Sequence, residues 1–198
     1  MKDTKPLIHP GWLRAMHWIN AVAVVVLIMS GWQIYNATVF LGFAFPSSIT
    51  LGGWLGGALL WHFAAMWVLG ANGILYVLMN VLTRRLSRKF FPLSPKAFLA
   101  DLLAALKGRL AHADPTQYNT VQRVAYLFVM LDITLLILSG LVLWKSVQFP
   151  LVRELLGGYE GARLVHFFAM AALSAFIAIH LLMVLLVPRT LVYMVRGR

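Results

Sequence analysis

The sequence predicts an all-α integral membrane protein. It reads as one four-helix bundle over residues 1–198, with both termini cytoplasmic and an interfacial amphipathic helix between the second and third spans. Three observations predict this. Hydrophobic residues make up 61% of the chain and charged residues 12%, where soluble domains carry about 45–50% and about 25%. Four apolar stretches, about 18–34, 51–82, 124–144 and 162–187, are each long enough to cross a hydrocarbon layer about 30 Å thick. The third observation is where the charge falls. Lys2, Lys5 and Arg14 precede the first span; Arg84, Arg85, Arg88, Lys89, Lys96, Lys107, Arg109 and Arg123 separate the second from the third; Arg189, Arg196 and Arg198 follow the fourth. Only Lys145, Arg153 and Arg163 fall on the other side, so the positive-inside rule puts fourteen of 17 basic residues in the cytoplasm. A net charge of +11 placed this way reads as a topology signal and argues against a nucleic-acid partner.

The first span runs straight on from Arg14 and His17 without a small-residue cleavage site, which predicts a retained helix in place of a signal peptide. The first outer loop, about 36–50, is uncharged and rich in Phe, Gly, Pro and Ser, and is expected on the membrane surface. Gly52, Gly53, Gly56 and Gly57 open the second span, where they would let either a macrocycle or another helix approach the backbone. The connection 83–122 is too long for a turn. In it Ser94 and Pro95 read as N-cap and first helical position. Phe98, Leu99, Leu102, Leu103, Leu106 and Leu110 then recur at three-to-four spacing among Lys96, Asp101, Lys107 and Arg109, which predicts an interfacial helix over 95–111 in contact with membrane lipid. Such a helix either joins two spans or also covers a quinone pocket. The short second outer loop, 145–163, carries Arg153, Glu154 and Glu160; it and the first are the outward surface open to a partner.

Cysteine is absent, which excludes disulfides, thiolate-held iron–sulfur clusters and thiolate-ligated haem within this chain. A redox group would need other ligands, and histidines inside the spans are the candidates, because a polar side chain in hydrocarbon is usually kept for function. His17 lies near the cytoplasmic start of the first span, His62 in the outer half of the second, His166 near the outer start of the fourth, and His180 eight residues before Pro188 near its cytoplasmic end. His166 and His180 are fourteen residues apart, about 21 Å of helix and nearly four whole turns, so they face one way at two depths and cannot share a metal. Depth therefore pairs His17 with His180 on the cytoplasmic side and His62 with His166 on the outer side. Two neutral imidazoles on opposite faces of a porphyrin give six-coordinate iron suited to electron transfer, so the expectation is two haem b groups.

Arg14 and Arg163 each precede a histidine by three residues, on the same helical face and one turn nearer the surface, where haem propionates would lie. Each also reads as a snorkelling charge at the end of a span. His9 and His112 read as solvated, and no two histidines show the short spacing of a zinc motif. No internal repeat stands out beyond the echo of Arg14–His17 in Arg163–His166.

Several motifs in order carry a resemblance over almost the whole chain. They are the run His9-Pro10-Gly11-Trp12-Leu13-Arg14-Ala15-Met16-His17-Trp18-Ile19-Asn20 followed by Ser30-Gly31; Leu60-Trp61-His62-Phe63; Tyr118-Asn119-Thr120-Val121-Gln122-Arg123; Ser139-Gly140 to Trp144; and Arg163-Leu164-Val165-His166 with His180. Together they resemble the di-haem cytochrome b subunits of formate dehydrogenase, nickel-iron hydrogenase and thiosulfate reductase, within the bacterial cytochrome b561 superfamily. The resemblance implies a multi-pass protein of the bacterial inner membrane that links a periplasmic molybdopterin or other redox subunit to quinone, ubiquinone or menaquinone. It implies the same histidine pairing, and a quinone site beside the inner haem with Asn119 and Gln122 as hydrogen-bonding candidates near His180. The same two residues are candidates to cap the third helix. Family members often carry Gly before this Gln, and Val121 departs from that. Compact members occur with sulfite-oxidase-like molybdopterin enzymes, and the short loops favour such a partner over a hydrogenase.

Asp132 departs from an otherwise apolar third span, and a carboxylate there is expensive unless paired or protonated. It reads as a proton relay to quinone or as a hydrogen-bond partner that orients a haem ligand. Two other functions compete with the relay: a stand-alone cytochrome b oxidising a small donor such as superoxide, and a haem-free transporter or scaffold, which predicts an internal repeat.

Overall fold

A computed structural model describes residues 8–84, 94–107 and 119–197. Among them the chain forms α1 (Gly11–Ala37), α2 (Leu55–Leu82), α3 (Pro95–Leu106), α4 (Thr120–Lys145), α5 (Pro150–Leu155), α6 (Gly158–Leu186) and α7 (Arg189–Arg196), with one short 3-10 turn at Ser47–Ile49 and no strand. Helices α1, α2, α4 and α6, of 26 to 29 residues, are each long and apolar enough to cross a membrane. At 1.5 Å per residue they reach about 40 Å, past the hydrocarbon into both interfaces. Three of them start earlier than the apolar stretches, because backbone hydrogen bonding continues through the polar residues at the interface. Helix α2 starts later, at Leu55, because Gly52 and Gly53 take positive φ values of 110° and 72° that no helix accommodates. Pro188, which cannot donate to the ladder, ends α6 at Leu186.

The helices pack as two compact units. The first holds α1, α2 and residues 192–197. Its two helices run antiparallel: Ser30 of α1 meets His62 of α2, and ten residues earlier on α1, Asn20 meets Asn72, ten residues later on α2. Asn72 is buried, and its side-chain amide donates both to Asn20 Oδ1 at 2.7 Å and to the Met16 carbonyl at 2.8 Å. Between the helices the uncharged loop folds onto the end of α1. Asn36 donates to the Phe45 carbonyl and accepts from the Phe45 N–H, both at 2.8 Å. Tyr35 donates to the Phe43 carbonyl at 2.8 Å, and the Trp32 and Phe45 rings stack at 4.8 Å. An aromatic-rich loop thereby satisfies its own backbone at the end of a membrane helix. Gly52 and Gly57 pack backbone against backbone and Gly56 lies under the Trp54 ring, so local close packing uses these glycines.

At the opposite end of this unit the two ends of the chain meet. The Ile8 N–H donates to the Gly197 carbonyl at 2.9 Å, and the Arg14 guanidinium donates to the Val195 carbonyl. Both ends of the described chain therefore lie on one side of a membrane crossed by α1. Helix α7 was not expected from the sequence; its signal is Arg189 and Arg196 bracketing Leu191, Val192 and Val195 at helical spacing.

The second unit holds α3 to α6. Ser94 accepts from the Ala97 N–H at 3.4 Å with Pro95 in the first helical position, as the sequence predicts. From α3, Asp101 accepts the Thr120 N–H at 2.7 Å and so ties the amphipathic helix to the first turn of α4. Leu110, Arg109, His112 and Tyr118, like Lys2, Lys5, Arg85, Arg88, Lys89 and Arg198, lie outside the described residues.

Candidate haem sites

Each unit holds one histidine in the same way. In the first, Ser30 Oγ lies 3.0 Å from His62 Nδ1, 2.7 Å from the Val26 carbonyl and 3.2 Å from the Leu27 carbonyl. In the second, Ser139 Oγ lies 3.0 Å from His166 Nδ1, 2.7 Å from the Leu135 carbonyl and 3.2 Å from the Leu136 carbonyl. Both serines are fully buried. Donor arithmetic settles the direction of these contacts. A serine hydroxyl has one proton, and a carbonyl can only accept, so the proton goes to the preceding turn of the helix and Oγ accepts from the imidazole. In the neutral ring this puts the proton of His62 and His166 on Nδ1 and the lone pair on Nε2, the form in which an imidazole ligates iron. The donor set fits a haem.

The residue after each serine is a glycine against the same ring. A Cβ on Gly31 would stand 3.6 Å from His62 Cε1, and one on Gly140 would stand 3.3 Å from His166 Cε1. The first distance is ordinary contact, and the second is tighter than nine in ten such contacts, so the His166 ring would have to give by a few tenths of an ångström. Gly140→Ala is thus expected to lower the melting temperature of the detergent-solubilised protein through overpacking of about 1–3 kcal/mol. Gly31→Ala should shift it little, and equal shifts in the two variants would contradict the packing difference.

These matched contacts expose a repeat that the sequence had not shown. Gly57-Ala58-Leu59-Leu60-Trp61-His62-Phe63-Ala64-Ala65-Met66 and Gly161-Ala162-Arg163-Leu164-Val165-His166-Phe167-Phe168-Ala169-Met170 are identical at seven of ten positions. Leu27-Ile28-Met29-Ser30-Gly31 and Leu136-Ile137-Leu138-Ser139-Gly140 are identical at four of five. The same registers set Arg14 against Arg123, His17 against Tyr126, and His180 against Tyr76. Ala58 and Ala162 are fully buried one turn before each histidine, and Ala65 and Ala169 are buried one turn after, so small residues set the approach of the partner helix in both pairs.

The remaining candidates are placed individually. The His17 ring meets Trp18 edge to face at 5.5 Å, and the exposed His180 ring stacks on Phe176 one turn before it at 6.1 Å. Arg14 holds the Val195 carbonyl, and its Nε is buried with no hydrogen-bond partner among the described residues. Arg163 pairs with Glu160 at 3.4 Å. Asn119 Oδ1 accepts the Gln122 N–H at 2.8 Å while Gln122 Oε1 accepts the Asn119 N–H at 3.1 Å, a reciprocal cap on α4. Asp132 is buried, and its Oδ2 has no hydrogen-bond partner among the described residues. It lies two helical turns before Ser139, so both side chains leave nearly the same face of α4.

Apolar spans whose buried serines hold a histidine by one ring nitrogen leave the other nitrogen open, an arrangement suited to membrane proteins that bind a redox group through imidazole. Residues 8–197 match the prokaryotic cytochrome b561 family, and the chain belongs to it, as the resemblance had implied. It is 63% identical over 190 residues, 96% of each chain, to a putative protein-methionine-sulfoxide reductase subunit, YedZ1, of Azospira oryzae. It is also 23% identical over 184 residues, 85% of this chain and 74% of the relative, to a probable Ni/Fe-hydrogenase B-type cytochrome subunit of Cupriavidus necator. The protein is a multi-pass membrane haem b electron-transfer subunit, and both relatives are named as subunits of oxidoreductases.

Proposed function

We propose that this chain holds two b haems, one through His62 and His166 toward the periplasm and one through His17 and His180 toward the cytoplasm. On this reading it relays electrons between membrane quinone and a periplasmic redox subunit. The observation that carries the reading is the pair of serine-fixed imidazoles at His62 and His166, matched in chemistry and predicted depth. The bound haems supply one-electron transfer at iron. Arg14, whose Nε has no hydrogen-bond partner among the described residues, and Arg163 are the residues proposed to face propionates. The positive-inside charge count supports a cytoplasmic location for the chain ends, His17 and His180 in a bacterial inner membrane.

Asn119 and Gln122 spend their carbonyl oxygens on the α4 cap, which leaves their amide NH2 groups as donors. A quinone carbonyl accepts from such donors, so the cap and a quinone site use different atoms of the same side chains. The name of the Azospira relative supports an outward direction: reducing a methionine sulfoxide consumes two electrons and two protons and releases water, which makes quinol the electron source. The proposed partner is a periplasmic molybdopterin oxidoreductase. Asp132 serves proton movement between quinone and water; in Asp132→Asn quinol oxidation should slow while the haem spectrum is kept, and unchanged turnover would remove it from the path.

The test is quinol oxidation in vesicles of the purified protein. Added menaquinol or ubiquinol analogue should reduce both haems, and an outside acceptor should reoxidise them. Haem that no quinol reduces would contradict the relay.

A further inference from the structure

The duplicated Ser-Gly pairs do more than pack. We infer that Ser30 and Ser139 are positioning residues that fix the tautomer and ring plane of the two outer haem ligands and thereby hold the outer haem at a lower reduction potential. The inference rests on the proposed ligation by His62 and His166. Each serine hydroxyl gives its proton to the carbonyl one turn back, at 2.7 Å, and accepts from Nδ1 at 3.0 Å. At each following glycine an added Cβ would come within 3.6 Å (Gly31) or 3.3 Å (Gly140) of Cε1, so the missing side chain leaves room for the ring. The serine contact sets which nitrogen carries the proton and orients the ring about its bond to Cβ, and the glycine leaves space for that orientation. The serines are fully buried and the contacts cross from one helix to its partner.

A hydrogen bond from Nδ1–H to an oxygen puts electron density into the imidazole and makes Nε2 a stronger donor, which favours the ferric over the ferrous state. The effect is doubled because the two ligands occupy repeated positions with the same contact distances. The histidines proposed for the inner haem are not repeat partners of one another: the repeat sets His17 against Tyr126 and His180 against Tyr76. The duplication therefore marks the outer site, and its two halves should respond alike.

The experiment is a redox titration, with electron paramagnetic resonance of the oxidised protein, on Ser30→Ala, Ser139→Ala and the double variant. Each single change should raise the potential of one and the same haem, by about three- to tenfold in its ferric-to-ferrous ratio at a fixed ambient potential. The double change should roughly compound the two shifts. The low-spin signal of that haem should broaden as the ring plane loosens, and it should be lost on dilution at about 10–100-fold lower affinity. The other haem serves as the folding control. Ser30→Thr and Ser139→Thr keep the hydroxyl and should return the potential toward that of the parent. Unshifted potentials and signals in the alanine variants would overturn the inference while leaving the ligation intact. Shifts confined to the haem that His17→Ala removes would overturn it too. If His62→Ala and His166→Ala fail to remove a haem, the ligation itself is wrong.

Discussion

His166→Ala is expected to yield a folded protein with one haem in place of two, and His62→Ala to lose that same haem. The double variant should lose no more than either alone. The reason is physical: iron held by His62 and His166 as proposed would lose a strong bond with either imidazole, whereas a haem held by His17 and His180 would depend on other side chains. His17→Ala and His180→Ala should make the complementary pair. Optical difference spectra of the four single variants sort them into two groups of two. A grouping of His62 with His17, or of His166 with His180, would refute the pairing by depth, and so would any variant that loses both haems while the protein stays folded.

The second large effect separates two roles of one pair of residues. Asn119→Asp together with Gln122→Glu keeps both cap acceptors, since each replacement retains an oxygen where Oδ1 and Oε1 now accept, and a carboxylate suits a helix N-terminus. It removes both amide donors. Quinol oxidation should fall roughly five- to tenfold for each lost hydrogen bond, with the melting temperature and haem content unchanged. Asn119→Ala, by contrast, should lose about 1 kcal/mol of stability with the cap as well as activity. Unimpaired quinol oxidation in the Asp/Glu variant would reduce these residues to capping alone.

Much of the architecture was legible because hydrocarbon imposes it. A span must be apolar over its whole length and must satisfy its backbone internally, so four helices follow from four apolar stretches and their limits are set by Pro188 and the Gly52–Gly53 bend. The Ser94–Pro95 start and the Asn119–Gln122 cap were equally local and equally readable. Long-range partners were not. That Asp101 would reach the Thr120 N–H, or Arg14 the Val195 carbonyl, depends on how loops fold back, which periodicity does not encode. Helix α7 gives no span signal because its eight residues, Arg189–Arg196, are too few to cross a membrane.

The serines show a different kind of omission. Ser30 and Ser139 stood in the sequence as parts of a motif without a role, because a serine in a helix usually bonds its own preceding turn. Both do, and that bond is what commits their only proton and turns the oxygen toward histidine. The signal that would have found them was present: aligning the chain on itself at His62 and His166, rather than on the Arg-x-x-His echo, brings Ser30-Gly31 onto Ser139-Gly140 within a few residues. The repeat weakens where the two inner histidines break it, His17 standing against Tyr126 and His180 against Tyr76, so the four histidines taken together do not display it.

The central claim is two haems in one chain, and the measurement that tests it most directly is a count. Haem extracted from the purified protein and quantified against protein concentration, with a reduced-minus-oxidised optical spectrum of the same sample, should give two b haems per chain, titrating at two potentials. One haem per chain at full occupancy, or a spectrum without b-type bands, would contradict the relay.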